Sequence, residues 1–419
     1  MVEAVKGTRD ILPEEIGRWH YVEDAARAVF GLYGFREIRT PVFESTELFQ
    51  RGIGEGTDIV AKEMYTFSDR KGRSLTLRPE CTAPVARAFI EHGLDRGGGL
   101  QRFYYVGPMF RYERPQKGRM RQFSQIGVEV LGSDHPAVDA EVLEMLARFL
   151  ERIRLGAPEI LLNSVGCPVC RPGYRDRLVA YLGPKRDQLC DDCRRRLETN
   201  PLRCFDCKVP SDQEILRDAP RISDHLCAEC RDHFQRVRGF LEAAGIRHRI
   251  EPRLVRGLDY YRRTAFEVVL PGLGAQNALL GGGRYDGLVE SLGGPPVPGF
   301  GFAVGLDRLV LSLPDDAPIP DESPEVVGLA IGEAAVGPIL QVAGRLRGLG
   351  RRMVFDPQPA RSLKSQLRGV HDRRARFALI VGDEEVAGQV FTLRDMRGGS
   401  QERLTEAALV ARLREDTRA

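Results

Sequence analysis

No apolar run in this 419-residue chain approaches the roughly 18 residues that a membrane-crossing helix needs, which argues against a helical membrane span. An apolar signal segment is missing too: Lys6, Arg9, Asp10, Glu14 and Glu15 interrupt the first residues, and a cytoplasmic protein is expected. A net excess of charge is nearly missing. The 62 basic and 59 acidic residues leave a net +3, too little to prove a nucleic-acid partner, so local basic patches must carry that argument. The chain also lacks the Walker pattern of four residues between Gly and Gly-Lys-Ser/Thr, so no P-loop is expected. What is present is the composition of a soluble globular protein, 42% hydrophobic and 29% charged, with length for two or three domains.

The most informative stretch is 105–131. Two runs, 105–113 and 121–131, flank a Pro- and Gly-punctuated polar segment, the pattern of two antiparallel strands joined by a long loop. Side chains alternate faces along a strand, so Ser124, Ile126, Val128 and Val130 share a face suited to a core. Arg121, Phe123, Gln125, Gly127 and Glu129 share the other, and Arg111 and Glu113 share a face in the first run. Antiparallel sheets often wet one face, which is the ordinary reading. Gly127 inside a strand tips the balance towards a site, because such a glycine often marks the close approach of a ligand.

Around this hairpin the apolar spacing predicts a helix over 16–32, started by Pro13, Glu14 and Glu15, and a strand over 35–42. The glycine-rich stretch 51–64 is read as a mobile loop. A short strand at 75–77 leads into Arg78-Pro79-Glu80-Cys81-Thr82, where Thr82 either serves a ligand or caps a helix over 83–89. A helix within 133–154 and a strand at 160–165 follow. Near the end of this half, glycines alternate along a strand at 299–305 and a helix begins. Arg308 falls in its first turn, where the helix dipole disfavours a cation by about 0.3–1 kcal/mol unless an anion is near; Asp307 is the plainer compensating partner.

Eight of nine cysteines form four Cys-x-x-Cys pairs: Cys167 with Cys170, Cys190 with Cys193, Cys204 with Cys207, and Cys227 with Cys230; Cys81 stands alone. In a reducing compartment such spacing suggests metal before disulfide, and Zn2+ is the ion that four-cysteine sites of this spacing hold. Buried free thiols packing as small hydrophobes are the competing reading, and how the pairs combine stays open. Arg171, Arg175, Arg177, Arg194, Arg195 and Arg196 crowd the same region, as contact with an RNA backbone or a solvated helix face would have it. Residues 314–324 form a proline-rich acidic linker, and beyond it strands at 326–331, 352–355, 377–381 and 390–393 alternate with helices. That alternation predicts an α/β domain with a largely parallel sheet. Its basic patch is Arg361, Lys364, Arg368, Arg373, Arg374 and Arg376 against Asp372.

Phe110-Arg111-Tyr112-Glu113 with Gly118-Arg119-Met120-Arg121-Gln122-Phe123 resembles motif 2 of class II aminoacyl-tRNA synthetases, and the run from Gly299 to Leu309 resembles their motif 3. The helix and strand over 16–42 resemble motif 1, which builds a homodimer interface in that class. Two further runs resemble the signatures of the histidyl-tRNA synthetases: Leu254 to Val269, with Arg256, Asp259, Tyr260 and Tyr261, and Leu280 to Leu288 with its triple glycine. Leu-Arg-Pro-Glu-Cys-Thr at 77–82 matches another, with Cys81 where glycine is usual.

The fold class the resemblance implies is α/β and α+β multidomain: an antiparallel-sheet catalytic core at 1–165 and 241–313, an inserted Cys-rich, mainly helical domain at 166–240, a linker at 314–325 and an α/β anticodon-binding domain at 326–419. The implied reaction activates L-histidine with ATP, releasing pyrophosphate, and transfers it to the 3' end of its tRNA, with Mg2+ bridging the outer phosphates. Arg111 and Arg256 are expected at the α-phosphate and the carboxylate, since a guanidinium binds an oxygen pair at two points. By resemblance Glu80 and Thr82 hold the α-amino group with help from Gln125. Phe123 and Arg308 sandwich adenine, Glu113 accepts from its amino group, and Arg119 or Arg121 meets the outer phosphates. Glu129 and Tyr261 bracket the imidazole, and Tyr260 lines the pocket. Two alternatives are a non-catalytic histidine-binding regulatory subunit of ATP phosphoribosyltransferase, which generally lacks the C-terminal domain, and a zinc-ribbon RNA-binding module with a vestigial core.

Overall fold

A computed structural model describes residues 2–54, 57–116, 118–156, 158–270 and 278–415. Lys117 of the hairpin loop and residues 55–56 of the glycine-rich stretch lie outside the described residues. The chain divides into two compact units, Met1–Ile319 and Pro320–Ala419.

The larger unit is built on an eight-stranded sheet. In spatial order its strands are Arg36–Glu37, Gln101–Phe110, Gln122–Leu131, Gly299–Gly305, Ala278–Arg284, Arg262–Val269, Glu159–Ser164 and His248–Ile250. Only the outermost pair at each edge is parallel. The predicted hairpin is therefore present, and the glycine-alternating strand lies directly beside it although 168 residues separate Leu131 from Gly299.

Helices Pro13–Leu32, Pro136–Arg152 and Ala228–Ala243 cover one face of this sheet. Phe30, Leu146, Phe149 and Val237 meet Ile126, Val128, Val130, Phe266, Phe300 and Phe302 there, so alternate residues of each strand are committed to one continuous core. The other face carries smaller apolar clusters, such as Phe103, Met109 and Leu131 packed on Val85 and Phe89, and between them polar groups.

Several boundaries differ from expectation. The strand at 35–42 shrinks to Arg36–Glu37, because Pro41 has no amide to donate and the next strand, Phe43–Ser45, joins a separate three-stranded sheet. The glycine-rich loop instead folds as a helix, Thr46–Ile53, and a five-residue π-helical turn, Ile59–Glu63. Leu48, Phe49, Ile53 and Ile59 bury together with Ala83, and that packing outweighs the local glycine content.

The insert carries a core of its own, including Tyr174, Leu178, Leu182, Leu197 and Leu216. Its closing helix Ala228–Ala243 sends Phe234, Val237 and Leu241 into the main core, so the insert is fastened there. Among its arginines, Arg194 pairs with Asp191, Arg195 with Asp192 and Arg196 with Asp58, which makes much of that charge a self-compensated helix face.

The smaller unit is a five-stranded sheet in the order Met353–Phe355, Val326–Ala330, Phe377–Val381, Phe391–Asp395, Gln401–Leu404. Its first three strands are parallel and the last two antiparallel, so the sheet is mixed where a largely parallel one was expected. The hairpin that makes it so ends in Gln401–Leu404, a strand with the pattern Gln-Glu-Arg-Leu that carries almost no apolar signal. Arg361, Lys364, Arg368, Arg373 and Arg374 are exposed, while Arg376 lies over Phe377. Asp356 and Asp395, remote in sequence from Asp372, pair with Arg373 and Arg376.

One buried charge cluster holds the main core to the sheet. Arg284, with no solvent exposure, reaches Asp139 at 2.7 Å and Asp286 at 3.0 Å and donates to the carbonyls of Ser133 and His135. Removing one partner of a buried pair strands the other charge. Asp139→Ala is thus expected to cost about 3–5 kcal/mol of stability. The check is the denaturant midpoint of the fluorescence of Trp19, the sole tryptophan, which packs in the same core.

Candidate active site

Cross-strand register builds the floor of the site. One row runs Tyr105, Gly127, Ala303, Gly281, Glu267 across five strands, and the next runs Phe103, Glu129, Gly301, Gly283, Ala265. Tyr105 and Glu267 stand at the ends of the first row and Glu129 beside the glycines of the second, and the middles of both rows are nearly bare. A Cβ on Gly127 would enter the Tyr105 ring, one on Gly301 would strike the Glu129 carboxylate, and one on Gly281 would lie 2.5 Å from the Arg256 guanidinium. The glycines let long side chains lie flat over the sheet. Sequence reasoning singled out Gly127, the alternating glycines at 299–305 and the triple glycine at 281–283. The pairing of Gly281 and Gly301 with their tenants needed the strand order.

Glu129 is the centre of the buried end, 1% exposed. It accepts from the Thr82 hydroxyl at 2.7 Å and the Tyr105 hydroxyl at 3.4 Å on one oxygen, and from the Tyr285 hydroxyl on the other. Tyr105 and Tyr285 stood within the quoted motifs without an assigned role. Burial, reinforced by the charge of Glu80, pushes the Glu129 carboxyl up to about 8 against the opposing pull of these hydroxyls. Tyr260 and Tyr261 pack beside it, their ring centroids 4.8 Å apart, and Tyr285 meets Tyr260 edge-on at 5.8 Å. Burial raises the Tyr261 hydroxyl, with Arg256 opposing and Glu129 adding to the shift.

Glu80 caps the helix Thr82–Glu91 by accepting from the amides of Thr82 at 2.8 Å and Ala83 at 3.0 Å. This frees the Thr82 hydroxyl for Glu129, so Thr82 is not the cap. Burial raises the Glu80 carboxyl, and the guanidinium of Arg111 is among the groups that oppose this. Buried Arg78 fixes the whole turn, donating to the carbonyls of Pro108 and Thr40 at 2.9 Å each. The backbone carbonyl of Pro79 in turn accepts from Arg111 Nε at 2.9 Å, and the guanidinium of Arg111 sits 5.5 Å from the Phe123 ring centroid.

Arg256 pairs with Glu267, and its buried Nε has no partner among the described residues. The turn that carries it is held from beneath by Asn163, which donates to the carbonyls of Pro252 and Leu254, and from the insert by Arg203, which donates to the Gly257 carbonyl. Gln125 is also buried, with an unpartnered Oε1. A buried donor or acceptor without a partner is costly, and this floor carries one of each, the Arg256 Nε–H and the Gln125 Oε1, where a ligand could complete them.

At the outer end Glu113 and Arg119 line a groove of about 600 Å3 with Lys62, Glu63 and Gln116. Arg119 pairs with Glu113 at 3.5 Å. Half-buried Arg308 donates to the Ala278 carbonyl, and its guanidinium is held below its usual range by burial and then by the charge of Arg119. Arg121 turns elsewhere: it stacks 4.0 Å over Tyr112 and donates to the carbonyls of Glu113 and Lys6.

Two metal-competent groups occupy the insert: Cys167, Cys170, Cys227 and Cys230, and Cys190, Cys193, Cys207 and Asp212. Cys204 stands outside both sets, its sulfur directed to the Cys193 carbonyl at 3.7 Å, and Asp212 takes the place that spacing had pointed to. No described helix is long and apolar enough to cross a membrane.

An antiparallel sheet with the arginine-bearing hairpin beside the glycine-alternating strand, joined to a separate α/β unit, is the architecture of a class II aminoacyl-tRNA synthetase. Residues 7–309 match the family described as histidyl-tRNA synthetase, and residues 325–416 match the anticodon binding domain. The chain is 51% identical over 407 residues to the histidine–tRNA ligase of Moorella thermoacetica, covering 97% of this chain and 96% of that one. It is 51% identical over 414 residues to that of Solibacter usitatus, covering 99% of each. Apo histidyl-tRNA synthetase of S. aureus superposes with a TM-score of 0.81 at 36% identity, over 98% of this chain and 99% of that one. The chain belongs to the histidyl-tRNA synthetase family.

The raised Glu129 carboxyl has a consequence for stability. Its pKa is about 8 in the fold against an ordinary 4.5, so the folded state holds the extra proton between those values. Stability therefore falls as pH rises from about 4.5 to about 8, by up to about 1.4 kcal/mol per pH unit from this group. Glu129→Gln is expected to flatten that slope when denaturant unfolding is followed against pH without histidine present.

Proposed function

We propose that this chain carries out its family's reaction, ligating histidine to tRNA in two steps, and that the glycine floor is where both occur. The carboxylate of histidine attacks the ATP α-phosphate, pyrophosphate leaves to give histidyl-adenylate, and the terminal hydroxyl of tRNA then takes the histidyl group and AMP leaves. Two anions must meet in the first step, so fixed cations are needed where charge develops. Arg256 and Arg111 flank the floor from opposite sides and are assigned to the α-phosphate and the carboxylate. The cross-strand rows carry this reading, since they set Glu129 and Arg256 over one bare surface.

At the buried end Glu129 and Tyr261 take the two imidazole nitrogens, with Tyr260 closing the side. Thr82, Glu80 and the unpartnered Gln125 Oε1 receive the α-amino group. A pocket of paired polar groups rejects apolar amino acids, which would leave those groups unsatisfied. At the outer end adenine lies against Phe123 and Arg308, and Glu113 accepts from its amino group. Arg119, whose charge already bears on Arg308, meets the outer phosphates; Arg121 is occupied with Tyr112 and the N-terminal segment. Mg2+ would supply neutralisation of those phosphates, and Glu267, the carboxylate paired with Arg256 and whose charge bears on Arg308, would be an oxygen donor to hold it.

We further infer a cytoplasmic homodimer joined through the helix Pro13–Leu32 and the strand after it, near which Val42 and Phe43 are exposed. Lys364 and Arg368 of the C-terminal unit contact the tRNA backbone. The regulatory-subunit alternative lacks a reason for that unit or for Arg256 and Arg308. Solved structures at 22% identity, one described as an ATP phosphoribosyltransferase regulatory subunit/histidyl-tRNA synthetase from Bacillus halodurans C, share the fold alone.

Histidine-dependent exchange of labelled pyrophosphate into ATP is the deciding experiment. Glu129→Ala is expected to abolish it, and near-normal exchange would refute the pocket. Gly281→Ala should displace the Arg256 guanidinium and lower kcat for exchange at least about 100-fold, a loss of roughly 2.7 kcal/mol of transition-state stabilisation. Circular dichroism and the Trp19 signal should stay those of the parent.

A further inference from the structure

The insert gathers its thiols in two nested groups. Cys167 and Cys170 meet Cys227 and Cys230 across 60 residues of chain, with Sγ–Sγ separations of 3.8 Å for Cys167 and Cys170, 3.7 Å for Cys167 and Cys227 and 3.9 Å for Cys170 and Cys230. In the second group Cys190 and Cys207 are 3.8 Å apart, and Cys207 Sγ lies 3.2 Å from Asp212 Oδ2. All nine cysteines are free, and these separations are nearly twice the roughly 2.05 Å of a disulfide. They match something else. A tetrahedron of sulfurs around an ion with bonds of about 2.3 Å has edges of about 3.8 Å, which is the geometry of a structural Zn2+ site.

Independent features agree. The amides of Cys167, Cys193 and Val209 point at the sulfurs of Cys170, Cys190 and Cys207 at 3.2, 3.4 and 3.4 Å, donating where a thiolate would accept. Cys190 and Cys227 occupy the N-cap positions of the helices Asp191–Thr199 and Ala228–Ala243, where the helix dipole favours negative charge. Asp212 has no solvent exposure and no basic side chain paired with it among the described residues. A buried carboxylate needs a cation or a proton, and here three thiols surround it.

The second group also has a reach towards the site. The segment 194–206 runs between Cys193 and Cys207, and its Asn200 donates to Asp259 at 2.9 Å while Arg203 donates to the Gly257 carbonyl at 3.0 Å. Both contacts fall on the turn that carries Arg256. We propose that the insert is a two-zinc module, one ion held by Cys167, Cys170, Cys227 and Cys230 and the other by Cys190, Cys193, Cys207 and Asp212, the second clamping the support of the Arg256 turn. Cys204 is not a ligand.

The test uses the full chain expressed with zinc and purified without chelators. Elemental analysis is expected to give about two zinc ions per chain, matching the two groups. Cys167→Ser and Asp212→Ala should each lose one, and Cys204→Ala should keep both. Co2+ exchanged into the parent protein should show thiolate-to-cobalt charge-transfer absorption, a reading that depends on no variant folding. Less than about 0.2 equivalents of metal in the parent, with no such absorption, overturns the module; zinc lost from Cys204→Ala and kept in Asp212→Ala overturns the second ligand set. Hydrogen exchange at residues 256–259 should quicken in Asp212→Ala, and unchanged exchange there in zinc-depleted protein overturns the clamp.

Discussion

Room on a sheet surface is the constraint from which this molecule follows. Strands packed on one face by a continuous apolar core would ordinarily raise a side chain every 4.7 Å or so on the other. Here Gly127, Gly281 and Gly301 clear a strip across neighbouring strands, and Tyr105, Arg256 and Glu129 lie down in it. Glycine in a strand interior sacrifices about 0.5–1 kcal/mol of local stability each time. The loss is offset by the core on the opposite face, where Phe266, Phe300 and Phe302 stack on the helices. Structure and chemistry thus use the two faces of the same strands.

Electrostatics divides the strip into two ends. At the buried end one carboxyl, Glu129, collects three hydroxyl groups and carries a raised pKa because burial outweighs their hydrogen bonds. At the other, guanidinium groups are left partly uncompensated: Arg308 is depressed by burial and by Arg119, and Arg256 keeps an unpartnered Nε beside Glu267. Neutral, hydrogen-bonding surroundings suit a polar ring, while excess positive charge in low dielectric suits a polyphosphate. In the proposed reading, the polarity of the strip would orient the two substrates.

The pieces around the strip act by holding turns. Asn163 and the insert's Arg203 grip the Arg256 turn from two sides, and Arg78 ties its own turn, which carries Glu80, to the hairpin through the Pro108 carbonyl. An insert of some seventy residues so placed does more than decorate the surface, since its own internal order bears on a residue of the floor.

Local pattern was sufficient for the helices over 13–32 and 136–152, the hairpin, the glycine-alternating strand and the separate C-terminal α/β unit, because periodicity and capping are properties of neighbouring residues. The motifs also named Glu80, Thr82, Arg111, Glu129, Arg256 and Tyr261 as candidates. What lay beyond that reading depended on residues distant in the chain. Tyr105 and Tyr285 as partners of Glu129, Glu267 as partner of Arg256, and the mixed sheet closed by Gln401–Leu404 arise from strand order and register, while the approach of Asp212 to Cys190, Cys193 and Cys207 arises from packing within the helical insert. The sequence by itself determined which chemical groups the chain possesses and which short segments hold them; tertiary structure alone decided which groups meet, because contacts across a sheet are set by packing between segments that no local signal relates.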